Sequence, residues 1–171
     1  LPSDQDPGFD LTILPIAELE PALSQGPNGV SDFENPHFTL GPRKLFSDGA
    51  FQLQTAYLRE PYQRPISPDA PRGVPYTTAE DLNAQVAKLH DMGFQIHCHC
   101  NGDAGADMFL DAVDAALEKT PRVDHRHTII HGQVLRPTSQ SDPARLPAWL
   151  LHHRQPKPPR ATLGRVAPPR R

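Results

Sequence analysis

The chain has 171 residues, of which 37% are hydrophobic, 22% are charged and 21 are prolines; this allows one domain with a core, although the composition is polar for a compact globule. No apolar run approaches the roughly 18 residues that a membrane-spanning helix needs, so no membrane partner is expected. The net charge of −3 combines an acidic first part with a basic end, because seven of the 17 basic residues and none of the 20 acidic residues follow Asp142. The negative charge of the first 142 residues argues against nucleic acid as a partner.

The two cysteines, Cys98 and Cys100, are two residues apart. On a strand they would point to the same side but would be poorly placed to bridge each other. We therefore expect free thiols and a reducing compartment, the cytoplasm. The first residues, Leu1 to Asp4, show no secretory signal. The chain also lacks an initiator methionine, and we expect it to begin partway through a longer protein.

The first part of the chain predicts little regular structure. Residues 9–14 alternate loosely and predict a strand, whereas residues 15–42 are rich in Pro, Gly, Asn and Ser and are expected to be irregular. Lys44-Leu45-Phe46 predicts a short strand that runs into a turn at Ser47-Asp48-Gly49. Residues 59–76 hold five prolines and predict a long loop, which inside a domain is often functional.

A helix and a strand are clearly predicted next. The helix is predicted to begin at a capping box formed by Thr77 and Glu80. Its apolar stripe consists of Leu82, Val86 and Leu89. Gly93 fits the left-handed residue that ends a helix. Residues 94–100 then alternate with period two, which predicts a strand. One face carries Phe94, Ile96, Cys98 and Cys100, and the other carries Gln95, His97 and His99.

A second helix and strand complete the pattern. Asp103 is a candidate N-cap, and Pro121 ends a helix whose apolar side is Phe109, Leu110, Val113, Ala116 and Leu117. Residues 127–131 predict another strand. Strands and helices that alternate with short turns predict an α/β fold with a parallel sheet.

Residues 138–171 contain seven prolines and seven basic residues without periodicity. Two interpretations stay open. The segment is either a disordered basic tail or the product of a coding frame that shifted near Pro137, because GC-rich DNA translated out of frame tends to give Arg, Pro, Ala and His. We place the domain boundary here, with residues 1–137 in the folded part.

Metal-competent side chains lie on three successive predicted strands: Lys44, His99 and His131. Sheets of βα units form active sites at the C-terminal strand ends, and a neutral imidazole is the commonest metal ligand. A lysine amine has an ordinary pKa of ~10 and is therefore protonated at neutral pH. Lys44 becomes a metal ligand only if CO2 carbamylates its amine. His97 is expected one layer deeper than His99. Each residue alone has a simpler explanation, but their order along the chain favours a site.

Three segments resemble the amidohydrolase 3 family, which includes N-substituted formamide deformylase-like proteins of the amidohydrolase superfamily. They are residues 44–50 (KLFSDGA) with Thr55-Ala56 and Glu60-Pro61-Tyr62, residues 93–112 around His99-Cys100-Asn101-Gly102-Asp103, and residues 126–133 (RHTIIHGQ). The resemblance covers roughly residues 40–137. It implies that the chain is a fragment of a TIM-like (β/α)8 hydrolase barrel, covering about three of its middle strands.

The resemblance also implies a divalent metal, commonly zinc, and hydrolysis of the C–N bond of a small amide, with the metal lowering the pKa of a bound water to roughly 7. His99, His131 and carbamylated Lys44 would be the metal ligands. Asp48, His97, Asp103, Arg126 and Gln133 would support them or face the substrate. Ile130 departs from the family, in which Glu commonly precedes the second histidine. The His-x-His of the family's first strand and the Asp of its last have no counterpart here, so we expect the chain to be inactive or nearly so.

Two alternatives remain at this point. A truncated, noncatalytic protein could serve as a binding module, although the open sheet edges of a partial barrel favour aggregation. The basic tail could instead bind nucleic acid, but Trp149 is its single aromatic residue, and this interpretation ranks last.

Overall fold

A computed structural model describes residues 11–16 and 38–135. The strands are β1 (Leu11–Ile13), β2 (Phe38–Leu40), β3 (Arg43–Phe46), β4 (Ile96–Cys100) and β5 (Thr128–His131), and the helices are α1 (Ala79–Asp91) and α2 (Asp103–Lys119). The segment between β3 and α1 holds a short 3-10 turn at Phe51–Leu53. The tail that was predicted from residue 138 onwards lies outside the described residues.

The central sheet is parallel, with the order β3-β4-β5. β1 pairs in parallel with β2, and the chain after β1 continues beside β3, where the Lys44 amide donates to the Pro15 carbonyl at 2.8 Å. Parallel neighbours require crossover connections, and α1 and α2 provide them. The predicted α/β class with a parallel sheet is therefore confirmed.

Both helices pack on one face of the sheet because each carries an apolar stripe. α1 contributes Leu82, Val86 and Leu89, as the helical spacing predicts. β4 contributes Ile96, Cys98 and Cys100, all fully buried, and this confirms the period-two assignment of the two thiols to the helix side. The larger set of buried α2 side chains facing them is Ala106, Phe109, Leu110, Ala112, Val113 and Ala116. Both cysteines are free thiols.

Three local predictions are corrected. The N-cap of α1 is Thr78, whose hydroxyl accepts from the Asp81 amide at 3.1 Å, so the capping box begins one residue after Thr77. The sequence Thr-Thr-Ala-Glu-Asp offers an acid three residues after either threonine, and the pattern alone cannot choose. The N-cap of α2 is Gly102, and Asp103 is the first helical residue.

The third correction concerns β2, which falls inside the stretch predicted to be irregular; β1 supplies its pairing partner. Other predictions hold. Gly93 follows α1 with φ of +86°, and residues 59–76 contain no helix and no strand of a sheet. Within the described residues, no helix is both long enough and apolar enough to cross a bilayer.

Candidate active site

The carboxyl ends of three parallel strands meet at one edge of the sheet, and two histidines come together there. His99 lies near the end of β4, and His131 is the last residue of β5. Their ring centroids are 4.7 Å apart, with the rings edge-on at 76°. Both side chains are half-buried, so each keeps some access from this edge.

The backbone of His131 explains how its ring reaches His99. His131 pairs in register with Cys100, whose side chain faces the helices, and a regular strand would send His131 to that same side. Instead His131 has a left-handed backbone with φ of +77°, followed by Gly132 with φ of +52°. A non-glycine residue in this region costs of order 1 kcal/mol, and the rest of the fold compensates that cost.

The ring of His99 is held by polar groups on one side. Its Nε2 lies 3.0 Å from the Gly49 carbonyl, 3.1 Å from Asn101 Nδ2 and 3.8 Å from Asp48 Oδ1. The Gly49 carbonyl accepts from Nε2 when that nitrogen is protonated, whereas the Asn101 NH2 group donates to Nε2 when it is not, so these contacts fit either neutral tautomer. With the proton on Nε2, the ring carries its lone pair on Nδ1, the arrangement in which a ligand histidine donates its other N–H to a backbone carbonyl.

Lys44 and His97 lie one step deeper in the sheet. Lys44 pairs with His97, whereas Phe46 pairs with His99. Burial lowers the pKa of Lys44 below its ordinary value. Burial also lowers the pKa of His97, and the positive charge of Lys44 acts in the same direction. Lys44 therefore lies two residues earlier along the sheet than the position level with His99, which Phe46 occupies. The ammonium nitrogen of Lys44 lies 5.0 Å from the ring centroid of Phe46.

Asp48 joins the loops that surround the site. It is 1% exposed, and its carboxylate accepts three backbone N–H groups, from Tyr57 at 2.9 Å, Asn101 at 2.9 Å and Gly102 at 2.7 Å. Burial raises the pKa of this carboxyl and the three hydrogen bonds lower it, with burial the larger effect. Asp48 thus ties the loop after β3 to the turn that begins α2.

The remaining predicted residues do not all reach the histidine pair. Asp103 Oδ1 accepts the Arg59 amide at 3.0 Å, so it binds the loop after β3. Gln133 is exposed two residues beyond His131. Arg126 lies before β5, at the opposite end of the strand, and forms an ion pair with Asp124 at 2.8 Å. The structure therefore brings Asp48 close to the pair and places Arg126 away from it.

The sequence interpretation missed several neighbours of His99. Ser47 Oγ donates to the His99 carbonyl at 2.9 Å, and the side-chain Nδ2 of Asn101 donates to the Gly49 carbonyl at 2.9 Å. The ring centroid of Phe46 lies 5.5 Å from those of His99 and Tyr76. Phe46 could have been found, because it follows Lys44 by two residues on the same strand face. Asn101 follows His99 by two residues and could have been found in the same way, whereas Ser47 contacts a segment 52 residues away and leaves no local signal.

The donor set fits a metal in part. Two imidazoles at one edge are suitable nitrogen donors for a divalent ion. Among residues 11–16 and 38–135, however, no three His, Cys, Asp or Glu side chains are grouped so that they could hold a metal ion. A complete centre needs additional ligands, with Lys44 as one candidate.

Two curated relatives share sequence with this chain. YtcJ of Bacillus subtilis (strain 168), which is named as an amidohydrolase, is 34% identical over 116 residues, or 67% of this chain and 21% of YtcJ. The exoenzymes regulatory protein AepA of Pectobacterium carotovorum is 30% identical over 105 residues, or 61% of this chain and 21% of AepA. The chain thus spans about a fifth of the length of these relatives.

Two solved structures share the fold. An uncharacterized metal-dependent hydrolase from Pyrococcus furiosus matches 76% of this chain and 25% of its own, with a TM-score of 0.59 and 24% identity. An uncharacterized metal-dependent hydrolase from Pyrococcus horikoshii OT3 matches 76% of this chain and 24% of its own, with a TM-score of 0.58 and 25% identity. The model of the amidohydrolase family matches residues 15–152. Since this match covers well over half of the sequence, the chain belongs to the amidohydrolase family.

Proposed function

We propose that the chain is part of a (β/α)8-barrel, metal-dependent amidohydrolase that cleaves the C–N bond of small amides, of the formamide type, in the cytoplasm. His99 and His131 are the metal ligands of this chain, and zinc is the metal. The described part alone is inactive or nearly so, because it lacks the further ligands and a base for the attacking water. The single observation that carries the proposal is the 4.7 Å approach of the two rings at the carboxyl edge of the sheet.

The surroundings of the pair support this function. A bound zinc ion would supply Lewis acidity to polarise the substrate carbonyl. In the tautomer that donates Nε2–H to the Gly49 carbonyl, His99 keeps Nδ1 as the atom that would bind the metal. The strained backbone of His131 is also typical of functional sites, where such strain persists when the surrounding structure imposes it.

Lys44 is suited to carbamylation. Burial lowers its pKa, which increases the fraction of the neutral amine, the form that adds to CO2. The amine nitrogen forms a bond to the carbon of CO2 and releases one proton, which leaves a carbamate with two oxygen donors. This modification would convert a cation into an anionic ligand on the strand next to His99, one two-residue step deeper in the sheet.

A metal titration of the 171-residue chain tests the assignment. We expect weak zinc binding by calorimetry, and we expect His99→Ala or His131→Ala to weaken it at least tenfold because each removes one of two imidazole donors. The matched control is His97→Ala on the same face of β4. Because His97 lies one step deeper, beside Lys44, its loss should change the affinity much less.

Two outcomes would contradict the proposal. An equal effect of His97→Ala would contradict the choice of His99 as the ligand. Turnover of N-substituted formamides by the zinc-loaded chain, above the rate with zinc in buffer, would contradict the claim that the chain is inactive.

A further inference from the structure

Three buried histidines form a second cluster, at the amino ends of β4 and β5. His90 lies in the last turn of α1, and His125 and His127 lie in the segment that enters β5. Their exposed fractions are 1%, 5% and 6%. The ring centroids of His90 and His127 are 5.1 Å apart, and those of His125 and His127 are 4.6 Å apart. This cluster lies at the opposite edge of the sheet from His99 and His131.

The hydrogen bonds of the cluster fix where each proton sits. The Ile96 amide donates to His127 Nδ1 at 3.1 Å, so the proton of a neutral His127 is on Nε2. That Nε2–H can donate to His90 Nδ1, 2.8 Å away. His90 then carries its own proton on Nε2 and donates to the Thr120 carbonyl at 2.7 Å. One unbranched series of hydrogen bonds therefore runs from β4 through His127 and α1 to the end of α2, and every ring in it is neutral.

His125 adds a third ring under the same constraint. Its Nδ1 accepts the His127 amide at 3.0 Å, which places the proton of a neutral ring on Nε2. That nitrogen is buried and has no hydrogen-bond partner in the described part of the chain. A buried polar atom without a partner destabilises the fold, so the neutral ring of His125 is held at a cost to stability.

The charged groups around the cluster oppose a further proton. The Arg122 guanidinium faces it from the loop after α2 and donates to the carbonyls of His90, Gly93 and Phe94. His97 faces it from β4. The two nearby carboxylates are engaged elsewhere, Asp91 with Lys119 and Thr120, and Asp124 with Arg126. The surroundings are therefore poorly equipped to compensate a positive charge on any of the rings.

We propose that His90, His125 and His127 form an acid-sensitive latch that holds the carboxyl ends of α1 and α2 against the entry of β4 and β5 while all three rings are neutral. A proton added to His127 Nδ1 would face the Ile96 N–H, and two donors cannot bond to each other. The ring would have to leave its site, and the series of hydrogen bonds to His90 and Thr120 would break with it. Acid would thus loosen the amino-end edge of the sheet first.

The electrostatics agree with this geometry. Burial lowers the pKa of His127 from 6.5 to about 2, and His125, His90, Arg122 and His97 add to the effect. Burial also lowers the pKa of His125, with His90 and Arg122 acting in the same direction and Asp124 against it. At a pH between about 2 and 6.5, the unfolded chain carries a proton on His127 that the folded chain does not carry. Stability is therefore lost as the pH falls below about 6.5, and it is fully present above that value.

Urea unfolding of the 171-residue chain between pH 4.5 and 6.5 tests the latch. One linked proton lowers the ratio of folded to unfolded protein about tenfold per pH unit. His127→Gln keeps one acceptor and one donor but does not titrate, so the pH slope should fall by about one proton. The control is Asp69→Asn, which removes an exposed carboxylate in the loop after β3, outside the cluster. Its slope should match the wild type.

A second measurement keeps the proposal testable if His127→Gln does not fold. Long-range proton–nitrogen NMR correlations on the wild-type chain at pH 7 report which ring nitrogen carries the proton. We expect Nε2–H on His90, His125 and His127, and faster exchange of the Ile96 amide at pH 5 than expected from the intrinsic pH dependence alone. A proton on Nδ1 of His127, or an unchanged pH slope in His127→Gln, would overturn the latch.

Discussion

Asp48 shows how much of the site depends on one buried carboxylate. Its two oxygens accept N–H groups from the loop after β3 and from the turn before α2, and the same turn carries Asn101, which contacts His99. The His99 ring is therefore positioned by a side chain 51 residues earlier in the sequence. Hydrogen bonds from backbone N–H groups to a charged acceptor are among the stronger ones, at roughly 1.5–3 kcal/mol each.

The first prediction concerns this carboxylate. Asp48→Asn keeps the volume but replaces an accepting oxygen by an NH2 group, which faces a backbone N–H in either orientation of the amide. We expect the free energy of unfolding in urea to fall by about 2–4 kcal/mol. The matched control is Asp69→Asn in the same loop, where the side chain is exposed, and its loss should stay within about 0.5 kcal/mol. Equal losses in the two variants would show that the hydrogen bonds of Asp48 contribute nothing specific.

Sequence patterns at this scale predicted the faces of β4 but not the contacts between loops. Period two correctly placed Cys98 in the core and left His97 and His99 half-buried. It did not predict the turn of His131 toward His99, because the side on which a strand-end residue points depends on a left-handed φ. Asp48 matched a turn pattern, and that pattern contains no information about which distant amides it would accept.

At the scale of elements, the loop after β3 is anchored to α2 by Arg59. The Arg59 amide donates to Asp103 Oδ1 at 3.0 Å, and its guanidinium donates to Asp107 Oδ2 from Nε at 2.7 Å and from Nη2 at 2.6 Å. The Arg59 side chain is 49% exposed, so solvent screens this ion pair. An exposed pair of this kind contributes only about 0.2–1 kcal/mol.

We therefore expect the loss of the Arg59 side chain to affect the loop after β3 and not the stability of the whole fold. Arg59→Gln should leave the global free energy of unfolding within about 1 kcal/mol of the wild type. It should accelerate amide exchange in the loop by up to about fivefold, the factor that corresponds to 1 kcal/mol. Leu58 and Tyr62, whose amides bond to the carbonyls of Arg72 and Pro71, report the change. Arg64→Gln, in the exposed part of the same loop, is the control, and an equal acceleration there would rule out a specific anchor.

Helical periodicity predicted α1 and α2, because each helix must bury one stripe against the sheet. The alternation of helices with strands predicted that the sheet is parallel. The long loop was predicted from its prolines, but its docking on α2 was not, since Arg59 and Asp107 are 48 residues apart. β2 was missed for a related reason. Three residues become a strand here because β1 lies beside them, and a segment this short carries no periodicity of its own.

At the scale of the whole molecule, the two histidine sets occupy opposite edges of one parallel sheet. His127 and His131 are four residues apart, or about 13 Å along an extended strand. Groups separated by more than about 7–10 Å without shared partners contribute nearly additively to stability. Metal binding at the carboxyl edge and acid sensitivity at the amino edge should therefore be separable in the same chain.

The final prediction is that metal binding and acid sensitivity can be removed separately, each by its own variant. Zinc at ten times its dissociation constant should stabilise the wild-type chain by about 1.4 kcal/mol, and the stability should fall with pH below about 6.5 because His127 is kept neutral in the fold. His99→Ala combined with His131→Ala should abolish the zinc-dependent stabilisation and keep the pH slope measured without metal. His127→Gln should reduce that slope and keep the stabilisation by zinc at pH 7. Urea unfolding with and without zinc, at three pH values, measures both. If either variant alters both properties, the two edges are coupled through the sheet, and the separation by strand end is wrong.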